Sequence, residues 1–134
     1  MVEPKKLLFV CVENAGRSQM AEAFLRKYAP DLQVVSAGTK PNVELNPIVV
    51  DVMSEIGIDM TNQKPKELTS QMIEESITVN MGCMDKESCP ALFVKDVIDW
   101  NIPDPKGKDI AQVREIRDKI KSQVIELLDS IQDK

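Results

Sequence analysis

The chain has 134 residues, 43% hydrophobic and 29% charged, with a formal net charge of -5. One domain over residues 1–134 with a proper core is expected from that length and apolar content. The acidic balance argues against nucleic acid and anionic membrane surfaces as partners, and no apolar run is long enough to span a membrane.

"KKLLFVCV" (Lys5 to Val12) is a short apolar run with a β-branched end and reads as a buried strand. In "RSQMAEAFLRKYAP", Met20, Ala21, Phe24, Leu25 and Tyr28 follow helical spacing, with Pro30 just beyond. "LQVVSAG" is a second strand, stopped by Gly38. Asn46-Pro47 is a helix start, a capping side chain followed by a first-turn proline; Val49, Val52, Met53 and Ile56 form the inner face and Gly57 the stop. "ELTSQMIEES" gives a short helix, "SITVNM" a third strand and "DVIDW" a fourth. From a cap at Asp109, the positions Val113, Ile116, Ile120, Val124, Leu127, Leu128 and Ile131 make a long amphipathic helix. Alternating strands and helices predict an α/β fold: a four-stranded parallel sheet covered by helices on both faces. Ligands bind such sheets at the carboxyl ends of the strands, where Cys11 falls. The loops after Met81 and Trp100 fall on the same rim.

Histidine is absent, which removes Cys-His and Ser-His nucleophile pairs and histidine-based metal sites together. The nucleophile must be activated otherwise, and "CVENAGRS" offers a way. Five residues separate Cys11 from Arg17. A strand-to-helix loop presents backbone N–H groups and the positive end of a helix dipole, which together attract an anion. Val12, Glu13, Asn14, Ala15 and Gly16 would wrap a tetrahedral oxyanion over the sulfur, with Arg17 clamping two of its oxygens. Gly16 permits a turn that a side chain would obstruct. The same donors stabilise the thiolate; Ser18 could donate to it and Asn14 could pin the loop from within. A lone cysteine and arginine at this spacing are more often a core residue and a solvated one. The strand before and the helix after favour the functional reading.

"CVENAGRSQMAEAF" resembles the phosphate loop of the low-molecular-weight protein tyrosine phosphatase family, and more closely its arsenate reductase branch. The likeness extends over "SAGT", Asn46-Pro47, "VNMGCMDKESCP" and "DWNIPDPKG". It implies that Cys11 is the nucleophile, Arg17 the oxyanion clamp and Asp104, in an Asp-Pro loop, the general acid. Expelling a hydroxyl from an oxyanion does need a proton donor, and Pro103 and Pro105 stiffen the loop that presents Asp104. Without Cys11 and Arg17 in the same chain, Asp104 would read equally well as a turn residue.

Cys83 and Cys89, six positions apart in "GCMDKESC", separate reductase from hydrolase. Two unrelated thiols is the bland reading, and a zinc site lacks ligands. The resemblance implies a relay. Arsenate on Cys11 is released as arsenite when Cys83 attacks Cys11, and Cys89 then takes the disulfide to Cys83–Cys89, for return by a thioredoxin-like reductant. Gly82 stands where other members of this branch place the first redox cysteine. Direct attack by Cys89, or by a low-molecular-weight thiol, therefore stays open. The phosphatases usually carry tyrosines after the Asp-Pro pair, where this chain has "KGKD". Trp100 matches a reductase habit and equally a core aromatic. Some of these reductases bind potassium beside the loop. Asn14, Glu22 and Ser36 match that site, but Lys66 stands in place of an aspartate; its ammonium could replace the cation and pair with Glu22, a plain surface lysine being the equal alternative, and no metal or other cofactor is expected. The alternatives are a phosphomonoester phosphatase and a non-catalytic thiol sensor. The chain is expected to be a monomer in the cytoplasm, where its thiols stay reduced and nothing marks a secretion signal.

Overall fold

The computed structural model describes residues 6–74, 76–81, 97–100, 102–103 and 105–132. The elements run β1 (Lys6–Cys11), α1 (Arg17–Tyr28), β2 (Val34–Gly38), α2 (Pro47–Ser54), α3 (Ser70–Glu74), β3 (Ser76–Asn80), β4 (Val97–Asp99) and α4 (Ile110–Gln132). The four strands form one parallel sheet in the order β2-β1-β3-β4. Because the chain leaves β1 for one neighbour and returns to the other side, β1 ends at the point where the strand order reverses. That is the crevice where parallel sheets bind ligands.

Strand alternation assigns the faces of β1. Leu7, Phe9 and Cys11 belong to the large core with residues of α1, α2 and α4, while Leu8 and Val10 pack with Ala37 and Ile73 on the α3 side. Phe9 meets Trp100 with ring centroids 5.5 Å apart, so Trp100 is a core aromatic under the rim. On α4, Val113, Ile116, Ile120, Val124 and Leu128 are buried as the spacing predicts.

The helix starts follow local chemistry. Asn46 Oδ1 accepts the Ile48 N–H at 3.0 Å, with Pro47 in the first turn of α2. Asp109 and Gln112 cap α4 reciprocally: Oδ1 of Asp109 accepts from Gln112 N at 2.9 Å, and Oε1 of Gln112 accepts from Asp109 N at 3.2 Å. Past α2, Gly57 turns the chain at φ +83°. Glu55 ties α2 to α4 through Arg114, which meets both carboxylate oxygens, and through Arg117 Nη1 at 3.0 Å. The Arg114 hydrogen bond, more than the charges, holds the Glu55 carboxyl below its usual range.

Candidate active site

The loop from Val12 to Gly16 is held with its carbonyls outward. Val12 O accepts from Lys40 N, Glu13 O from Asn42 N and Ala15 O from Asn46 N, each at 2.9 Å. Asn14 O accepts from Gln19 Nε2 at 3.0 Å, and Gly16 O from Met20 N at 2.9 Å as the first bond of α1. All peptide bonds here are trans. In a planar trans peptide the N–H points opposite to the C=O that precedes it. The amides of Glu13, Asn14, Ala15, Gly16 and Arg17 therefore turn to the concave side. Asn14 N confirms the direction, donating to Cys11 Sγ at 3.2 Å.

Asn14 achieves this with φ 52°, a left-handed backbone that asparagine tolerates better than most residues and that costs others about 1–2 kcal/mol. Its side chain is also engaged. Nδ2 donates to Ser18 Oγ at 2.7 Å, and Ser18 Oγ lies 2.9 Å from Cys11 Sγ. Either atom of that contact can donate when Cys11 is a thiol; once Cys11 is a thiolate, only the Ser18 hydroxyl has a proton to give across it. The Asn14 N–H and the Ser18 hydroxyl thus lie beside Cys11 Sγ at the amino end of α1, an arrangement that favours the thiolate without histidine.

Arg17 is buried, and its Nη1 donates to Ile102 O at 2.9 Å and, more weakly, towards Met81 O at 3.4 Å. One guanidinium thus meets the chain just after β3 and just after β4, at Met81 and Ile102. Above the sulfur lies a cavity of about 220 Å³, with Leu45, Asn46 and Pro47 on one wall and Pro105 and Lys106 on the other. Pro105 is pressed against Gly16, where a Cβ would stand 2.9 Å from its Cγ. Lys106 Nζ meets Glu13 Oε1 at 2.9 Å across the mouth.

The support layer sits behind the loop. Buried Glu22 accepts from Ser36 Oγ at 2.8 Å and from Arg26 Nε at 3.0 Å, and Lys66 Nζ lies 3.7 Å from its Oε1. The Lys66 N–H donates to Asn14 Oδ1 at 2.8 Å, which ties this layer to the loop. No group of three or more cysteine, aspartate or glutamate residues with metal-binding geometry occurs among the described residues. Asp104, Cys83 and Cys89 lie outside the described residues.

Two positions to which the sequence assigns no part in the site matter to this geometry. Gly38, read there only as a strand stop, lies so close to the loop that a Cβ would meet Val12 O at 2.4 Å. Gln19, wholly buried, donates to both Asn14 O and Asn14 Oδ1.

A parallel α/β sheet that ends in a cysteine-to-arginine anion loop defines a class of cysteine-based oxyanion enzymes. The family model described as low molecular weight phosphotyrosine protein phosphatase matches residues 6–134, and the chain belongs to that family. It is 39% identical over 131 residues to a Halobacterium salinarum protein named "Putative arsenate reductase", covering 92% of this chain and 91% of that one. It is 34% identical over 120 residues to an arsenate reductase of Staphylococcus aureus, covering 87% of this chain and 91% of the relative. Among solved structures, a thioredoxin-dependent arsenate reductase of Corynebacterium glutamicum superposes with a TM-score of 0.80 at 38% identity. That match covers 98% of this chain but 64% of the other. An arginine phosphatase from Geobacillus stearothermophilus gives 0.84 at 28% identity, over 97% and 94% of the two chains. No described helix is long and apolar enough to cross a membrane.

Proposed function

We propose that the protein is an arsenate reductase that passes oxidation from Cys11 to the Cys83/Cys89 pair and then to a thioredoxin-type reductant. The observation that carries this is the contact of Arg17 Nη1 with Met81 O, which joins the anion loop to the start of the segment in which Cys83 follows two residues later. The relatives named for arsenate reduction support the same choice.

In the first step the Cys11 thiolate attacks arsenic while the loop amides and Arg17 hold the oxygens. Asp104 gives its proton to the departing oxygen, and water leaves. In the second, the Cys83 thiolate attacks Cys11 sulfur; the S–As electron pair stays on arsenic, which departs as arsenite, and a Cys11–Cys83 disulfide forms. Cys89 then attacks Cys83, freeing Cys11, and a dithiol reductant reduces Cys83–Cys89. Such a cycle needs a reducing compartment, hence the cytoplasm. The Lys66 ammonium beside Glu22 supports a built-in cation in place of potassium. Hydrolysis of phosphate monoesters through a phosphocysteine on Cys11 is the second reading. It is favoured by a cavity of about 220 Å³, roomier than a free oxyanion requires. Arsenate-driven turnover with a thioredoxin system tests the proposal: reduction lost in Cys83→Ser and in Cys89→Ser supports it, and aryl phosphate hydrolysis without arsenate reduction selects the second reading.

A further inference from the structure

Behind the anion loop is an amide pair that no step above uses. Gln19 lies in the first turn of α1, a place usually solvated, yet it is 0% exposed. Its Nε2 faces three acceptors: Asn14 O at 3.0 Å, Asn14 Oδ1 at 2.9 Å and Lys64 O at 2.9 Å. Its Oε1 accepts from Gln63 Nε2 at 2.7 Å, and the same Gln63 nitrogen reaches Gln19 O at 3.1 Å. One amide thus grips Asn14 by backbone and side chain, and is itself fastened to the segment around residues 63 and 64.

Asn14 is the residue that most needs gripping. It alone among the described non-glycine residues has positive φ, its N–H donates to Cys11 Sγ at 3.2 Å and its Nδ2 donates to Ser18 Oγ at 2.7 Å. Relaxation towards ordinary backbone angles would shift the Asn14 side chain against the start of α1, taking Nδ2 off Ser18 Oγ and loosening the loop that presents the N–H to the sulfur. Gln19 is wholly buried and Gln63 half-buried, so water competes little for the bonds from Gln19 to Asn14, and these bonds hold both the Asn14 backbone oxygen and its side chain. We infer that Gln19, backed by Gln63, is a positioning residue that locks Asn14 in its left-handed turn and so keeps Cys11 a thiolate. It touches neither the sulfur nor the oxyanion, and acts only through Asn14. The inference rests on the proposed function only in taking Cys11 as the nucleophile.

The test is the pH profile of Cys11 alkylation by iodoacetamide, in a parent chain carrying Cys83→Ser and Cys89→Ser so that one thiol reacts. Gln19→Leu fills the space without the donors, and Gln63→Leu removes the backing alone. Gln19→Leu is expected to move the midpoint up and slow alkylation about tenfold near about pH 6, with Gln63→Leu changing it two- to threefold in the same direction, roughly. Gln19→Glu, which keeps the shape but loses the donors, is expected to follow Gln19→Leu. A folded Gln19→Leu chain with the parent's profile overturns the inference. Should Gln19→Leu not fold, a parental profile in Gln63→Leu overturns it instead. Alkylation consumes no arsenate, so a chain that shows these shifts but no arsenate turnover would sink the reductase proposal and leave this inference standing.

Discussion

Replacing Ser18 by alanine removes a hydrogen bond at the nucleophile. Cys11 Sγ has the Ser18 hydroxyl at 2.9 Å and the Asn14 N–H at 3.2 Å. A hydrogen bond to a charged group contributes about 1.5–3 kcal/mol. At about 1.36 kcal/mol per pKa unit, its loss raises the Cys11 titration by about one to two units. Below that midpoint the thiolate fraction, and with it the rate, falls about ten- to a hundredfold. The same change leaves Asn14 Nδ2, which donates to Ser18 Oγ at 2.7 Å, without that acceptor in a buried place. Urea unfolding should therefore show a loss of about 1–3 kcal/mol. The assay is alkylation against pH with Cys83→Ser and Cys89→Ser in the background. A midpoint that moves by less than about 0.3 units in a folded Ser18→Ala chain would refute the claim that this hydroxyl stabilises the thiolate.

Gly38→Ala places a methyl 2.4 Å from Val12 O and 3.0 Å from Val12 C and Asn14 N, all backbone atoms, so the anion loop has to move. Overpacking of this kind costs about 1–3 kcal/mol, and a displaced loop should lower kcat/KM about tenfold or more; an unchanged kcat/KM for oxyanion turnover would count against the close approach. Exchanging sodium for potassium should leave turnover unchanged, because the Lys66 ammonium already stands 3.7 Å from Glu22; a several-fold gain with potassium would be contrary to that, roughly at the level of a bound ion's contribution. Lys106→Gln breaks an exposed pair with Glu13 and should cost less than about 1 kcal/mol of stability, its effect on KM vanishing at high salt. Glu55 has its folded-state titration depressed by Arg114, so its contribution to stability is present above the unfolded carboxyl range and lost as pH falls through the folded value. The difference in Tm between the parent and Glu55→Gln should accordingly shrink on acidification, and a gap that is constant from neutral to acid pH would disagree.

What the sequence made legible was mostly local. The apolar run ending at Cys11, the Asn46-Pro47 start and the Asp109 cap each depend on residues within a few positions, and they appear as read. The faces of β1 and α4 follow from periods of two and three to four, which the chain keeps without interruption. The inverted anion loop was legible as composition and spacing, but not in what inverts it. The bonds from Lys40, Asn42 and Asn46 come from backbone N–H groups, and any sequence supplies those. Gly38 looked like a stop because its true constraint is a carbonyl twenty-six positions earlier. Gln19 was missed because its partners, Asn14, Gln63 and Lys64, become neighbours only when the segment after α2 folds back on the loop. A polar residue directly preceding buried Met20 and Ala21 was the one available hint. The Lys66–Glu22 contact, by contrast, was one of two readings of a departure from the family pattern, the other being a surface lysine, and Lys66 Nζ lies 3.7 Å from Glu22 Oε1.

The most direct test of the account is arsenate-dependent oxidation of a thioredoxin system by the intact chain and by its three single Cys→Ser variants. The account predicts sustained turnover by the intact chain, none with Cys11→Ser, and loss of repeated turnover with Cys83→Ser and with Cys89→Ser. Full turnover in either of the last two, or efficient phosphate ester hydrolysis with no arsenite formed, would contradict it.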